Sequence, residues 1–542
     1  MSVGQFLVPC QLPDPPAWLA GRDAEINALD QLLGAPEGWP LTVVVSGVPG
    51  VGKTALASWW LHEHRREFSE GLFYARLAGP LGMGETPWEV LGRWLRAFGV
   101  PTVSIPASRA GRERLWKAMT AGRRLAIMID DAPSASAVEA LVPGQGPAPL
   151  VVTSRRMLGA GSPTGFRQLR LRPLKRPAAI GLLVRQLGPT ETTRDTASLG
   201  DLARACSGLP LALRCAAWMI TCPNNTDPGL TVQLAAEETR LAARGVPRSE
   251  ARARALIEVT SQLLEPDVAR AFRLLAFCPG PELSSELAVA MLDTSPAQTC
   301  ALLGDLARAG LIERAGYGWW KFHDLAQLHA REQAGRIGTG LERQAATSRM
   351  LTWYVCAAIS AHAALVGSVG AEVGNRTWHQ HGSPIFSPAS AADWVDRHQS
   401  AMMAAVRAAA ACGDHATAVC LAGVLWPLLG WHGCYREQLA TVRLGVRAAR
   451  ACGDAPAEAQ MLNGMGHALR QLGRPSEAAR PFRGAARIWL ELGRDGQLAV
   501  TLRELGRIAA AQGLQAEASR YFTQEVWLYQ RGSGPSSRAG GL

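Results

Sequence analysis

The sequence predicts a multidomain protein of the α/β plus α class. It comprises a parallel five-stranded sheet domain, a helical domain, a winged helix and a C-terminal α-helical repeat solenoid. Five short apolar runs alternate with helical patterns over the first third of the chain, which is typical of a parallel sheet. Strand patterns then nearly vanish, and the C-terminal part repeats with a fixed period, which indicates stacked helix pairs.

Length and composition bound the class of protein. The chain has 542 residues, of which 48% are hydrophobic and 19% charged, as in ordinary globular domains. It lacks a signal-peptide pattern and an apolar run of about 18 residues, so we expect a cytoplasmic protein with no membrane partner. Eleven cysteines without a C-x-x-C pair predict reduced thiols. The net charge of +11 is spread along the chain and only weakly indicates nucleic acid.

The predicted strands lie at 41–46, 72–77, 124–130, 149–154 and 168–171. The first leads into the pattern G-x-x-x-x-G-K-[ST] and then into a helical stretch. Such a P-loop curls its N–H groups around phosphates, its lysine adds a positive charge, and its threonine offers a hydroxyl to Mg²⁺. The alternative is a glycine-rich turn without a ligand. The motif predicts a nucleoside triphosphate site that contains Gly47, Gly50, Val51, Gly52, Lys53, Thr54 and Ala55.

A winged helix is predicted after the helical patterns that begin near residue 175. Helical stretches at 268–277, 284–292 and 297–309 precede two short alternating runs around a Gly-Tyr-Gly turn. One alternative function is a DNA-binding transcriptional regulator that reads bases with 297–309. That stretch holds one arginine and one aspartate, whereas base-reading helices expose more Arg, Asn or Gln. DNA is therefore a partner that the sequence does not favour.

The C-terminal part repeats every 40 residues. Gly413, Gly453 and Gly493 follow this spacing, and the same period recurs at Glu437 and Glu477. Helical repeats of this kind stack into a solenoid whose concave face binds proteins. We therefore predict an unknown protein partner for residues 391–531. A repeat scaffold with a purely structural nucleotide is the other alternative.

Several further motifs accompany the P-loop at characteristic spacings. The motifs are Trp18-Leu-Ala-Gly-Arg22-Asp-Ala-Glu25, Ile127-Met-Ile-Asp130-Asp131, Thr153-Ser-Arg155, Gly208-Leu-Pro210-Leu-Ala-Leu213 and Phe322-His323-Asp324. Together they resemble the NB-ARC branch of the STAND signalling ATPases with C-terminal tetratricopeptide repeats, and most closely that portion of actinobacterial regulators. The resemblance covers all but a polar, glycine-rich linker at 367–390 and the tail.

The resemblance implies how the acidic pair and the sensor arginine act. Asp130, with Thr54, would organise Mg²⁺, and Asp131 would polarise the attacking water. Because Asp131 is shorter than the usual glutamate, hydrolysis is expected to be slow. Arg155 would contact the γ-phosphate, with Arg156 as the alternative for that role. Without the resemblance, the two aspartates could simply cap the next helix.

The remaining motifs imply an adenine-nucleotide switch. Arg22 would lie near the nucleotide, Pro210 would pack against the adenine, and His323 would contact the β-phosphate of ADP. The implied cofactors are ATP or ADP with Mg²⁺, and the implied protein is a slow ATPase that is closed with ADP and open with ATP. Self-assembly on activation is a further implied partner interaction.

The domain organisation follows from these motifs. No effector domain is expected before residue 21 or after the repeats, so the output would pass through another polypeptide or through self-assembly, unless the gene is a fragment. The predicted segments are an extended lead-in at 1–20, the P-loop domain at 21–173, the helical domain at 174–264, the winged helix at 265–335, a helical connector and loop at 336–390, the repeats at 391–531 and a disordered tail at 532–542.

Overall fold

The computed structural model describes the chain from residue 9 to residue 532, with gaps. The chain forms two compact units, Met1–Gly99 with Glu113–Met350 and Val100–Arg112 with Leu351–Leu542. The segments outside the description are 1–8, 34–40, 79–83, 102–103, 107, 159–165, 189–195, 223–229, 244–245, 247, 281, 338–339, 367–385, 432 and 533–542.

The first unit contains the five-stranded sheet, and all of its pairings are parallel. This confirms the five predicted strands. The order across the sheet is β2-β3-β4-β1-β5, and β1, β3 and β4 are buried along their whole length. Continuous burial explains why these strands are apolar runs without alternation. The strands are β1 (Thr42–Ser46), β2 (Gly71–Arg76), β3 (Leu125–Asp130), β4 (Leu150–Ser154) and β5 (Arg167–Arg170).

Five helices accompany the strands in sequence. The third begins at a capping box, in which Thr86 and Glu89 satisfy each other's backbone N–H groups. Before the first helix, Gln11 and Pro9 bond to the backbone of Leu72, so the lead-in extends along the outer edge of β2. The helices are α1 (Asp23–Leu33), α2 (Lys53–Glu63), α3 (Pro87–Ala97), α4 (Arg109–Thr120) and α5 (Ala135–Glu139).

The helical segment that follows contacts the P-loop directly. Pro210 occupies the first turn of its third helix, where its missing N–H costs nothing, and the N–H of Leu211 donates to the Gly50 carbonyl at 3.4 Å. Gly208 has a φ of +64°, and a Cβ there would lie 2.3 Å from the Leu174 carbonyl oxygen, so only glycine fits. The helices are α6 (Arg176–Leu187), α7 (Thr196–Ala205), α8 (Pro210–Thr221), α9 (Leu230–Ala243) and α10 (Arg248–Gln262).

Three helices and a hairpin form the winged-helix segment in the order that the sequence predicts. A short additional strand, which the sequence pattern did not predict, pairs with the second hairpin strand to give a sheet of order β6-β8-β7. The elements are α11 (Pro266–Leu275), β6 (Leu283–Ser284), α12 (Ser285–Leu292), α13 (Pro296–Arg308), β7 (Ile312–Arg314), β8 (Trp319–Phe322) and α14 (Asp324–Arg336).

The exposed polar side chains of α13 have partners within the helix. Gln298 closes a capping box with Ser295, and Arg308 pairs with Asp305 one turn away. These are the long polar side chains that a base-reading helix would direct into a groove. Both side chains therefore already have partners close to them in the sequence.

The second unit is built mainly from antiparallel helices. The predicted linker at 367–390 lies mostly outside the described residues. The same holds for His379 and His381, which the sequence predicts to be solvent-exposed instead of a metal pair, and for the predicted tail from 533. Residues 388–390 begin a helix instead of a loop, and Gly532 ends the last one. After α15 (Gly340–Val366) follow α16 (Pro388–Ala411), α17 (His415–Trp431), α18 (Tyr435–Cys452), α19 (Ala455–Gln471), α20 (Pro475–Glu491), α21 (Asp495–Ala511) and α22 (Gln515–Gly532).

The 40-residue period marks helix ends and one close helix contact. Glycines of the two periodic series have φ between +63° and +78°, the left-handed conformation that ends a helix. A Cβ on Gly466 or Gly506 would lie 2.5 to 2.6 Å from the ring of Phe482 or Phe522. Each repeat thus places a glycine of one helix against a phenylalanine of the next. The glycine series are Gly413, Gly453 and Gly493, and Gly433, Gly473 and Gly513.

Candidate nucleotide-binding site

A cleft of about 210 Å³ lies at the carboxyl ends of the sheet strands, within the first unit. The P-loop and the ends of β2, β3 and β4 form one wall. The start of α8 forms another, and the winged-helix hairpin with the start of α14 closes the third. Ligands of parallel α/β sheets bind at this edge because the loops after the strands meet there. The cleft therefore brings together residues from three sequence segments.

The P-loop has the geometry of an anion cradle. Gly50 and Gly52 have φ of +77° and +93°, which turns successive N–H groups inward toward the start of α2. Gly52 is the N-cap of α2 and offers no side-chain acceptor, so the first N–H groups of the helix remain available to a phosphate. A Cβ at Gly47 would lie 2.6 Å from the Leu171 carbonyl oxygen, which excludes larger residues there.

Lys53 lies over the same loop. Its Nζ donates to the carbonyl oxygens of Gly47 and Val48 at 2.9 and 3.1 Å. Burial lowers the pKa of Lys53, although the nearby carboxylate of Asp130 opposes that shift. The ammonium is thus held by neutral carbonyls, which are weak partners for a cation compared with a phosphate oxygen.

Arg22 supports the loop from outside the cleft. Its guanidinium is buried and donates to the Val51 carbonyl at 2.9 Å and to the Arg172 carbonyl at 2.8 Å, with Glu25 as its ionic partner at 3.1 Å. Arg22, Gly47 and Val51 do not line the cleft. The structure places Arg22 where it holds the P-loop backbone, with its donors already engaged.

Asp130 ends β3 within hydrogen-bonding distance of Thr54. Its Oδ1 accepts from the hydroxyls of Thr54 at 2.7 Å and Thr153 at 2.6 Å. Burial alone would raise the pKa of Asp130, but the charges of Lys321 and Arg76 and the two hydroxyl donors outweigh burial and lower it. The carboxylate is therefore ionised at neutral pH.

The Thr54 and Asp130 pair fits Mg²⁺. A hydroxyl and a carboxylate are hard oxygen donors, and Mg²⁺ is commonly bound by one or two protein oxygens together with substrate phosphates. No cluster of three or more metal-binding side chains occurs among the described residues, and a Mg²⁺ of this kind does not need one. Thr54 and Asp130 are the residues that would hold the ion.

A network of four charged side chains crosses the cleft. Arg155 donates to both oxygens of Asp131 at 3.2 Å and to Oδ2 of Asp324 at 2.8 Å. Arg76, at the end of β2, forms a hydrogen-bonded ion pair with the other oxygen of Asp324. Asp324 thus links the winged-helix segment to two arginines of the sheet segment. Arg156, the alternative sensor, does not line the cleft.

Burial and neighbouring charges shift the pKa values of Asp131 and Asp324 in opposite directions. Burial raises the pKa of Asp131, and Arg155 only partly opposes it. Burial would also raise the pKa of Asp324, but Arg76 outweighs it and lowers the value. Asp131 is the weaker acid of the two and is engaged by Arg155 on both oxygens, so it is not free to accept a proton from water.

His323 caps α14 and faces the cleft. Its Nδ1 accepts from the Leu325 N–H at 3.3 Å, which assigns the ring proton of the neutral form to Nε2. Burial lowers the pKa of His323 to about 4, with Asp324 partly opposing the shift. At neutral pH the ring is therefore an uncharged donor, which suits a hydrogen bond to a phosphate oxygen.

The structure adds cleft residues that the sequence motifs did not assign. Arg76, Arg214, Lys321 and Asp324 all line the cleft beside the predicted residues. Arg214 lies one turn after Pro210 on the same face of α8, a spacing that could have suggested it. Arg76 ends the strand next to β3, and this position at a strand end could also have been recognised in the sequence. The predicted residues that line the cleft are Gly50, Gly52, Lys53, Thr54, Ala55, Asp130, Asp131, Arg155, Pro210 and His323.

Comparison with family models agrees with this architecture. Residues 19–143 match the AAA ATPase domain, and residues 448–530 match the tetratricopeptide repeat. The chain carries an AAA ATPase domain followed by tetratricopeptide repeats. The sequence resemblance is confirmed for these two parts.

The curated relatives are regulatory proteins. The chain is 32% identical over 547 aligned residues to the regulatory protein AfsR of Streptomyces griseus, and 30% identical over 532 to that of Streptomyces coelicolor. The alignments cover 99% and 96% of this chain but 55% and 53% of the relatives. The chain is homologous to these proteins and spans about half of their length.

Two solved structures align with much of the chain at low sequence identity. A STAND protein with a tetratricopeptide repeat sensor from Pyrococcus horikoshii aligns over 96% of this chain and 84% of its own, with 14% identity and a TM-score of 0.40. The ORC2 protein of Aeropyrum pernix aligns over 62% of this chain and 97% of its own, with 16% identity and a TM-score of 0.29.

Among the described residues, no helix has the length and apolarity to cross a bilayer.

Proposed function

We propose that the protein is an adenine-nucleotide-dependent regulatory switch, closed with ADP and open with ATP, in which the repeats bind a protein partner. The observation that carries the proposal is the cleft itself, where the P-loop, α8 and the winged-helix hairpin face one another. The AAA ATPase domain and the similarity to AfsR support a nucleotide-dependent regulatory protein. We place this protein in the cytoplasm.

ADP and ATP would stabilise the network of charged side chains in the cleft to different extents. Arg155 is held by two carboxylates, Asp131 and Asp324, and is half-exposed to the cleft. A triphosphate adds negative charge where these carboxylates lie, so it competes with them for Arg155 and repels Asp324. ADP places less charge there and leaves the link intact. The two nucleotides therefore differ in their affinity for the closed arrangement, which is the requirement for a switch.

Hydrolysis is expected to be slow in this arrangement. Asp131, the residue proposed to polarise water, has a side chain one methylene shorter than the glutamate that usually serves this role, so its carboxylate reaches less far from the end of β3. A general base must be free to accept a proton in a correct geometry. The bound state would then persist long enough to carry a signal, and self-assembly of the open form is one way to transmit it.

The nucleotide content of the purified protein tests the proposal. We expect ADP, close to one per chain, when the protein is purified without added nucleotide, denatured, and its released ligand identified by chromatography. Exchange of that ADP should require ATP with Mg²⁺. A protein that is empty and binds neither ATP nor ADP would instead favour a repeat scaffold.

Replacing His323 with asparagine isolates its contact with the nucleotide. Asparagine keeps an acceptor for the Leu325 N–H and so preserves the cap of α14, but it removes the imidazole donor. We expect ADP to dissociate roughly 10-fold faster, the effect of about one hydrogen bond to a charged group. Stopped-flow release of a fluorescent ADP analogue measures this rate.

His323→Ala is the matched comparison because it removes both the imidazole and the cap. It should release ADP as fast as His323→Asn and, in addition, lower the free energy of unfolding by about 1 kcal/mol. An asparagine variant that releases ADP at the wild-type rate would remove His323 from the nucleotide site.

A further inference from the structure

Lys321 reaches from the winged-helix hairpin to the carboxylate that would bind the metal. Its Nζ lies 3.8 Å from Oδ2 of Asp130, and the side chains are only 14% and 5% exposed. Charge pairs that are shielded from water in this way interact more strongly than surface pairs. The ammonium therefore supplies Asp130 with a positive charge in the closed arrangement.

The other contacts of Asp130 leave the Lys321 side as the place where a cation can bind. Oδ1 already accepts from the hydroxyls of Thr54 and Thr153. Among the described residues, Oδ2 accepts a long hydrogen bond of 3.4 Å from the Tyr74 hydroxyl and lies 3.8 Å from the Nζ of Lys321. A divalent ion held by Asp130 and Thr54 would add positive charge to the carboxylate that Lys321 already neutralises, and like charges repel.

We propose that Lys321 takes the place of the divalent cation beside Asp130 when the winged-helix hairpin is docked, so that metal binding and hairpin docking exclude each other. This inference rests on the proposed function and assigns a metal-sensing role to Lys321. The closed arrangement retains ADP without a metal ion, because Lys321 already neutralises Asp130. Mg²⁺ that arrives with ATP must displace Lys321.

The position of Lys321 in the hairpin connects this competition to the rest of the cleft. Lys321 pairs across the hairpin with Glu313 and is followed directly by Phe322, His323 and Asp324. Phe322 is buried, and the next two residues line the cleft. A displacement of Lys321 from Asp130 would therefore move the strand that directly precedes His323, which is proposed to contact the phosphate, and Asp324, which pairs with Arg76 and Arg155.

Affinity for Mn²⁺ in nucleotide-free protein tests the competition directly. Mn²⁺ is a spectroscopic substitute for Mg²⁺, and electron paramagnetic resonance measures its free concentration. Lys321→Met keeps the length of the side chain and removes its charge, so we expect it to bind Mn²⁺ about 10-fold more tightly than wild type. Lys321→Arg and the surface control Lys117→Met should match wild type. Equal Mn²⁺ affinity of Lys321→Met and wild type would overturn the inference.

Chemical labelling provides a second measurement on the wild-type protein, which does not depend on the folding of a variant. Lys321 is nearly buried, whereas Lys117 is exposed. If Mn²⁺ displaces Lys321, its acetylation by acetic anhydride, measured by mass spectrometry relative to Lys117, should rise about fivefold or more on adding Mn²⁺. A labelling ratio that Mn²⁺ does not change would contradict the proposal.

ADP binding in the presence of a chelator separates this inference from the proposed function. If wild type binds ADP without a metal but the Mn²⁺ affinity is the same in Lys321→Met, the role of Lys321 is wrong and the switch stands. If Lys321→Met gains Mn²⁺ affinity but neither protein binds ADP or ATP, the competition at Asp130 is correct and the proposed function fails.

Discussion

Lys53→Ala is expected to lower nucleotide affinity by about 10- to 100-fold, the effect of losing one charge-assisted hydrogen bond to a phosphate. The ammonium now bonds to two P-loop carbonyls, and a phosphate oxygen is a stronger partner than either. Its loss leaves the glycine geometry and the start of α2 unchanged. Isothermal titration with ADP and with ATP, with and without Mg²⁺, measures the loss.

The same substitution should leave the fold intact, because the two carbonyl oxygens face a cleft that water can enter. Thermal unfolding of nucleotide-free Lys53→Ala should therefore match nucleotide-free wild type. Lys117→Ala, which removes an exposed lysine of α4, is the control for loss of positive charge. Wild-type nucleotide content in purified Lys53→Ala would show that the P-loop is not the binding site.

Asp324→Asn is expected to release the winged-helix segment from the sheet segment. Asparagine has the size of aspartate but carries no charge, so Arg76 loses its ionic partner while it remains buried. Removing one partner of a buried ion pair lowers the free energy of unfolding by about 3–5 kcal/mol. The ion pair of Asp324 with the half-exposed Arg155 contributes at most about 1 kcal/mol. We expect faster hydrogen exchange in β8 and α14, and ADP release that is at least about 10-fold faster.

A matched Asp and Arg pair in the winged helix serves as the control. Asp305 and Arg308 are neighbours on α13, with side chains 35% and 75% exposed, so Asp305→Asn should change the free energy of unfolding by no more than about 0.5 kcal/mol. Hydrogen exchange in β8 that is identical in Asp324→Asn and Asp305→Asn would show that the Asp324 link does not hold the segments together.

The Asp324 link should also depend on pH in a defined direction. Burial alone would raise the pKa of Asp324, but the charge and the hydrogen bond of Arg76 outweigh burial and place this pKa below its ordinary value of 3.8. A carboxylate with a lower pKa in the folded state contributes fully above the unfolded pKa, and its contribution is lost as the pH falls through the folded value. The stability difference between wild type and Asp324→Asn should therefore shrink only below about pH 4.

Much of the fold could be predicted because its signals are local. Strands β1, β3 and β4 are mainly apolar runs, and burial on both faces requires this composition, whereas β5 is largely exposed and has an arginine at each end. The 40-residue period could be recognised because glycines recur at helix ends, and because the residues of the glycine to phenylalanine contact, Gly466 with Phe482 and Gly506 with Phe522, recur one period apart. The short strand β6 could not be predicted from the sequence, because two residues show no periodicity and only the pairing with β8 defines the strand.

The sequence by itself determined the P-loop, the acidic pair after β3 and the order of the segments, because each depends on neighbouring residues whose spacing is fixed by the backbone. Only the tertiary structure decided which charges meet across the cleft. Lys321 and Asp324 reach Asp130, Arg76 and Arg155 through packing of segments far apart in the chain. The hydrogen bond that Arg22 donates to the P-loop carbonyl of Val51 likewise depends on packing of segments that are apart in the chain. A charge's partner depends on where the chain folds back, and residue spacing does not encode that position.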